Sequence, residues 1–258
     1  MKYTLTALLS AALLSTAPVS NPAHAGGFTP ELFDTWIDMR TGGGETDVYW
    51  YSEGLLKSFP EGEVIAEMVG FDTSTVIRDP ADPTKATQLS RKIFYWFDPE
   101  TGERLERDAI SYEYQVKTYE LEGDEIVYGV ESRAGKRISH VAPTQNYSVK
   151  KVDGTVWFNY AVFIKRGTGK FENSDFYIIP GDNLSDREKY QHSWVSYGVG
   201  PIMSNAVAWR YTRFEDMPER ITKIVREEAP LWLEPPRSMN EIEALRDQVQ
   251  TASAPQTK

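Results

Sequence analysis

Between residues 47 and 214 the chain alternates apolar and polar side chains with a period of two, the pattern of half-buried β-strands. Asp47–Ser52 and Leu55–Phe59 read as a hairpin turned at Gly54. Val64–Ile77 reads as one long extended run, bent at Gly70. Thr87–Phe97 is a second long strand, and Asp98-Pro99-Glu100-Thr101-Gly102 after it has the Pro and Gly of a tight turn. Ile110, Tyr112, Tyr114 and Val116 fall on one face of a strand over Ile110–Leu121. Glu122-Gly123-Asp124 then turns the chain back into Ile126, Tyr128 and Val130. Tyr147–Val152 and Thr155–Lys165 flank Asp153-Gly154, the strongest short-range hairpin signal. With Asp175–Ile179 and Ala206–Phe214 the total comes to about ten strands, joined mostly by short turns and so antiparallel.

The two ends read differently. Thr29 is a fitting N-cap, Pro30 sits well at the first helical position, and Phe33, Trp36 and Ile37 share one helical face before Gly42–Gly44. Near the other end, Asp216-Met217-Pro218-Glu219 resembles a capping box before the apolar stripe Ile221, Ile224 and Val225. Ser238-Met239-Asn240-Glu241 is a second one, before Ile242, Leu245 and Val249. No helical period interrupts the strands, which argues against a β-α-β arrangement. The expected fold is all-β with terminal helices: an antiparallel, barrel-like, strongly curved sheet. Such a sheet removes its own edges and encloses room for a small ligand.

The first residues lie outside this pattern. Met1-Lys2-Tyr3 leads into the apolar stretch Leu5–Leu14, and small residues follow at Ala23-His24-Ala25. This is the order of a secretory signal peptide, with an apolar stretch well short of the roughly 20 residues a membrane-spanning helix needs. The expectation is an exported protein cleaved near Ala25, in the periplasm or secreted. A single domain would occupy 26–250, with a frayed tail over 251–258. No later segment is apolar enough to span a membrane as a helix.

Charge and composition narrow the chemistry. The chain has 28 Lys and Arg against 38 Asp and Glu. Without Lys2 the balance is 27 to 38, a net −11, which argues against nucleic acid as a partner. There is no cysteine, which excludes disulfides, thiolate catalysis and iron–sulfur clusters. Beyond the leader the only histidines are His140 and His192, in no metal-ligand spacing, so neither a metal nor another cofactor is expected. Gly-x-Ser-x-Gly is absent, and Gly42-Gly43-Gly44 follows no strand, which argues against a phosphate loop. The 7 Trp, 14 Tyr and 11 Phe suit both pleated surfaces and the walls of pockets for apolar ligands.

Two segments carry candidate chemistry. In Leu89–Phe97, Arg91, Ile93, Tyr95 and Phe97 share one face. On an interior wall, Arg91 beside Tyr95 would hold an anionic or carbonyl group. On a plain structural reading, Arg91 pairs with a carboxylate such as Glu113. The second segment, Tyr190–Gly198, places His192, Trp194 and Tyr197 within eight residues, and His192 is the natural proton-transfer group. Tyr112 and Tyr114 complete the expected ligand-binding set.

The Tyr-Trp-Tyr strand, the run Leu89-Ser90-Arg91 leading to Tyr95, and Asp98-Pro99-Glu100-Thr101-Gly102-Glu103 together resemble the bacterial domain-of-unknown-function 1838 family. Ser193-Trp194, Gly200–Met203 and Met217-Pro218-Glu219 are similar too, so the resemblance spans residues 30–236. The chain departs from the pattern after Leu105, at Glu106-Arg107-Asp108-Ala109. The family name implies no activity.

The leading reading is an exported protein that binds a small apolar or aromatic molecule in an aromatic-lined barrel interior. One rival is a cofactor-free lyase, isomerase or hydrolase. There His192 is the acid or base, and Arg91 and Tyr95 steady a developing oxyanion. The other rival is an interaction module of the cell envelope with its aromatics on an exposed patch.

Overall fold

The computed structural model describes residues 28–44, 47–105, 112–134, 137–141, 146–152, 155–166, 169–179, 191–197 and 202–242. Side chains are described for 28–42, 44, 47–105, 114–127, 129 and 202–242.

Helix α1, Pro30–Thr41, forms as its sequence predicts. Thr29 Oγ1 accepts from Leu32 N, and Gly42, at φ 68°, closes the helix with its N–H on Asp38 O. Phe33, Trp36 and Ile37 are fully buried.

Twelve strands follow. They are β1 (Val48–Ser58), β2 (Val64–Asp79), β3 (Asp82–Phe97), β4 (Arg104–Leu105), β5 (Tyr112–Glu122), β6 (Glu125–Ala134), β7 (Arg137–Val141), β8 (Asn146–Val152), β9 (Thr155–Arg166), β10 (Gly169–Ile179), β11 (Gln191–Tyr197) and β12 (Ile202–Tyr211). They pair antiparallel in the order β10-β11-β12-β1-β2-β3-β5-β6-β7-β9-β8, with β4 beside β3 and a further ladder between β9 and β10. The expected curved antiparallel sheet with helices toward the chain ends is therefore present. The sheet forms an open half-barrel flanked by short helices.

Several local expectations need correcting. Gly54 makes no turn, because β1 runs straight through it. A Cβ there would lie 2.6 Å from Ala206 Cβ, so this glycine permits close approach of β12. The turn comes later, where Ser58 and Gly62 bond each other's neighbourhood and Gly62 takes φ 81°. β7 and β4 were not anticipated, and the candidate segment Tyr190–Gly198 contains strand β11. The turn at Asp98–Gly102 is as expected: Asp98 Oδ1 accepts from Glu100 N and Thr101 N at 2.9 and 2.8 Å, and Gly102 has φ 69°.

Gly70 lies inside β2, and a Cβ on it would sit 2.9 Å from the Phe94 ring and overlap Ser52 Oγ. Gly70→Ala is expected to cost about 1–3 kcal/mol through overpacking, read as a lower urea midpoint at unchanged slope. A cost below a few tenths would show that Phe94 yields freely.

The sheet has two buried faces. One carries Tyr51, Val69, Phe71, Ile93, Tyr95 and Phe97 and is covered by the C-terminal strap, residues 214–242. The strap is a 3-10 turn at Phe214–Asp216, helix α2 (Glu219–Glu228), a second 3-10 turn at Pro230–Leu233, and the start of a further helix after Ser238. Phe214, Met217, Ile221, Val225, Trp232 and Ile242 fill the space against the sheet. The capping box expected at Asp216 does not form: Pro218 is the N-cap of α2 and makes no side-chain bond. At Ser238 a cap does form, with Oγ accepting from Glu241 N at 3.2 Å. The opposite face of the sheet is covered at one end by α1.

Candidate functional site

Arg91 is on the strap face, 5% exposed, with Ile93 and Tyr95 beside it as the alternation of β3 requires. Its Nη1 donates to the carbonyls of Leu231 and Glu234, and Nη2 lies 3.7 Å from Glu241. Trp232 reinforces the same junction, donating from Nε1 to Lys92 O at 3.0 Å. The expected partner Glu113 is instead in register with Lys92. Arg91 is thus the latch of the strap. Burial holds its pKa below the ordinary arginine value, against the opposing pull of Tyr114 and Glu241.

Tyr114 packs on Trp232, with ring centroids 5.3 Å apart, and Tyr95 lies under the Arg104 guanidinium at 4.6 Å. Thr73, Arg91 and Tyr114 occupy one row across β2, β3 and β5. Thr73 Oγ1, Arg91 Nε and the Tyr114 hydroxyl are buried there without a hydrogen-bond partner among the described residues. Burial pushes the Tyr114 pKa up to about 12, and Arg91 works against that rise. A tyrosine whose folded pKa is raised keeps full stability below its unfolded pKa of about 10 and loses it above. Denaturation at alkaline pH should therefore show stability falling between pH 10 and 12, and Tyr114→Phe should flatten that fall. At neutral pH the same substitution removes an unsatisfied hydroxyl, so it is expected to be neutral or stabilising by up to about 1 kcal/mol. A loss of 2 kcal/mol or more on the same scale would reveal a partner for the hydroxyl.

The other face is polar where α1 meets it. Arg40 is buried between the rings of Trp36 and Tyr119, at 5.2 and 5.6 Å. Gln88 Oε1 accepts from Arg40 Nε at 3.5 Å and from the Tyr119 hydroxyl at 2.7 Å, and Gln88 Nε2 reaches Ser90 Oγ at 3.2 Å. The last carbonyls of α1, which no helical N–H can satisfy, find donors on the sheet. Arg210 Nη1 bonds Asp38 O and Met39 O at 3.0 Å each, while Trp50 Nε1 and Ser74 Oγ bond Arg40 O at 3.3 and 3.4 Å.

One row beyond this floor, Asp72 Oδ2 is 3.1 Å from Lys92 Nζ, with side chains only 12% and 21% exposed. Asp72 Oδ1 is sealed from solvent and has no hydrogen-bond partner among the described residues. Phe94 packs over Gly70 in the next row, beside Ser52. Sequence reasoning missed Arg40, Gln88, Asp72 and Lys92. The available signal was the even-numbered set Asp72, Ser74, Gln88, Ser90 and Lys92, polar residues at alternate positions of two long strands.

The side chains of Tyr112, His192, Trp194 and Tyr197 lie outside the described residues, but the ladders give their positions. His192 pairs with Ala208, and the row continues through Ser52 and Gly70 to Phe94. Trp194 pairs with Ala206, in the row of Gly54, Met68 and Trp96. Arg91 belongs to the row Tyr114-Arg91-Thr73-Tyr49-Tyr211. Successive rows alternate between faces. The positions of His192 and Trp194 therefore belong to the face of Asp72 and Lys92, and those of Arg91, Tyr95, Tyr112, Tyr114 and Tyr197 to the strap face. The expected constellation of His192 with Arg91 and Tyr95 is split between the two sides of the sheet. The register therefore does not bring the three positions together on one face.

Among the described residues, no group of three or more His, Asp or Glu is placed to hold a metal ion, and no helix is long and apolar enough to cross a membrane. No protein-family model matches the chain, and no curated protein matches it.

Proposed function

We propose that this chain is an exported binding protein that takes a small, largely apolar or aromatic molecule against the α1 face of its curved sheet. What carries the reading is the lining: the buried Arg40–Gln88–Tyr119 network and the aromatic side chains Trp50, Phe94 and Trp96 on one face. Pockets that orient small molecules combine an apolar wall with a few fixed polar groups in this way. The strap face is already filled by Phe214, Ile221, Val225 and Trp232, which favours the α1 face as the ligand side. The ladder between β9 and β10 supports a further part of the proposal, that the sheet curls into a barrel around this face.

Export rests on the leader-like order of Lys2, Leu5–Leu14 and Ala23-His24-Ala25. The resemblance to the domain-of-unknown-function 1838 family belongs to the same proposal, and its most specific string, Ser90-Arg91 to Gly102, occupies β3 and the turn after it.

Native mass spectrometry of the protein from its own host tests the reading. A non-covalent small-molecule adduct that disappears on acid unfolding is the expected result. An adduct-free mass, together with no saturable binding of aromatic probes by ligand-observed NMR, would overturn it.

A further inference from the structure

We infer that the ligand of the α1 face is neutral and presents a hydrogen-bond donor next to an acceptor, as an aromatic amide or lactam does, and that Asp72 and Lys92 read this pair. The inference rests on the proposed binding at this face and names the chemistry it selects.

The Asp72 carboxylate is buried with one oxygen on Lys92 and the other without a donor. A buried carboxylate oxygen left bare is costly, and natural structures supply a donor to almost every such atom. None of the described side chains supplies it. A ligand N–H or O–H completes Asp72 Oδ1, and Lys92 Nζ, which spends one of its three protons on Oδ2, has donors left for the adjoining ligand oxygen. Lys92 is the more exposed and more flexible partner, so its movement gives a ligand access to the pair.

The charges on this face set the rest of the class. Lys92, Lys117 and Arg210 are positions of this face and Arg40 packs on it from α1, all four mostly buried, while the Glu113 position is in register with Lys92. A cationic ligand would place a second positive group beside Lys92. A carboxylate ligand has no proton to give Asp72 and would press a second negative charge against it. A neutral donor–acceptor edge avoids both conflicts. Trp50 stands in the Asp72 row and Phe94 in the next, so flat rings have aromatic partners at the same depth.

Four probes of one size separate the alternatives: benzamide, toluene, benzoate and benzylamine, each titrated into the full chain by ligand-observed NMR. Benzamide should bind about tenfold or more tightly than toluene, the effect of one satisfied buried hydrogen bond. Benzoate and benzylamine should bind no better than toluene. The double variant Asp72→Leu/Lys92→Met removes both charges together and leaves no orphan ion, which protects the fold. It should bring benzamide down to the level of toluene while toluene binding changes less than about twofold. Equal affinity of benzamide and toluene for the native protein overturns the inference and leaves aromatic binding standing. So does benzamide binding that survives in the double variant. If no probe binds, the inference and the proposed function fall together. If the double variant does not fold, the ranking of the four probes on the native chain decides.

Discussion

Arg91→Met lowers the stability of the protein by about 3–5 kcal/mol, because two buried carbonyls lose charged donors at once. The carbonyls are those of Leu231 and Glu234, and the methionine retains only the apolar stem of the latch. The loss should appear in urea denaturation as a shifted midpoint. It should also appear in hydrogen exchange as faster labelling of residues 230–242, while the β2–β3 ladder stays protected. Arg91→Lys should recover part of the loss, since one ammonium reaches fewer carbonyls than a guanidinium fork. A cost under 1 kcal/mol would mean that the apolar contacts of Trp232 and Ile242 hold the strap unaided. This expectation replaces a ligand-anchoring role for Arg91, for which the substitution would have weakened binding and left stability nearly unchanged.

Gln88→Leu produces the second large effect, about 3–5 kcal/mol, on the opposite face. Gln88 is the shared acceptor of Arg40 and Tyr119, and it is 2% exposed. Leucine nearly preserves the volume, so the cost reports lost hydrogen bonds more than a cavity. The arginine charge and the tyrosine hydroxyl would both remain buried with an acceptor gone. The companion variant Gln88→Leu/Tyr119→Phe removes the hydroxyl as well and should regain about 1 kcal/mol or more of the loss. If the double variant is no more stable than the single one, the Tyr119–Gln88 bond contributes little. Circular dichroism should keep its strand signal in both variants, because the ladders of β3 with β2 and β5 are made by backbone groups that neither substitution removes.

Much of the architecture follows from alternation that is visible in the residues. Arg91, Ile93, Tyr95 and Phe97 share a face, and so do the positions of Tyr112, Tyr114 and Val116, as the period of two requires. The cover of that face was not visible, because the contacts between β3 and the strap join residues about 140 positions apart. An apolar strand face looks the same in sequence whether it lines a ligand cavity or lies under a helix. Gly54 was misread for a related reason. Glycine marks both turns and close approach of backbones, and only the partner strand, with Ala206 against it, decides between them. The same limit applied to His192. Its segment is rich in functional groups, but its face depends on the register of β11 with β12, which no local pattern specifies.

The strap also sets a timetable for the chain. Phe71, Ile93, Tyr95 and Phe97 are built early in synthesis, whereas their cover begins only at Phe214 and is complete near Ile242. Until those last residues emerge, the β2–β3 hairpin has a broad oily surface and nothing native to place against it. A chain stopped at residue 213 would keep the described strands of the sheet and still lack the cover for that surface, so it should self-associate more readily than the full chain. The last segment to be made is therefore the one that takes this apolar surface out of water.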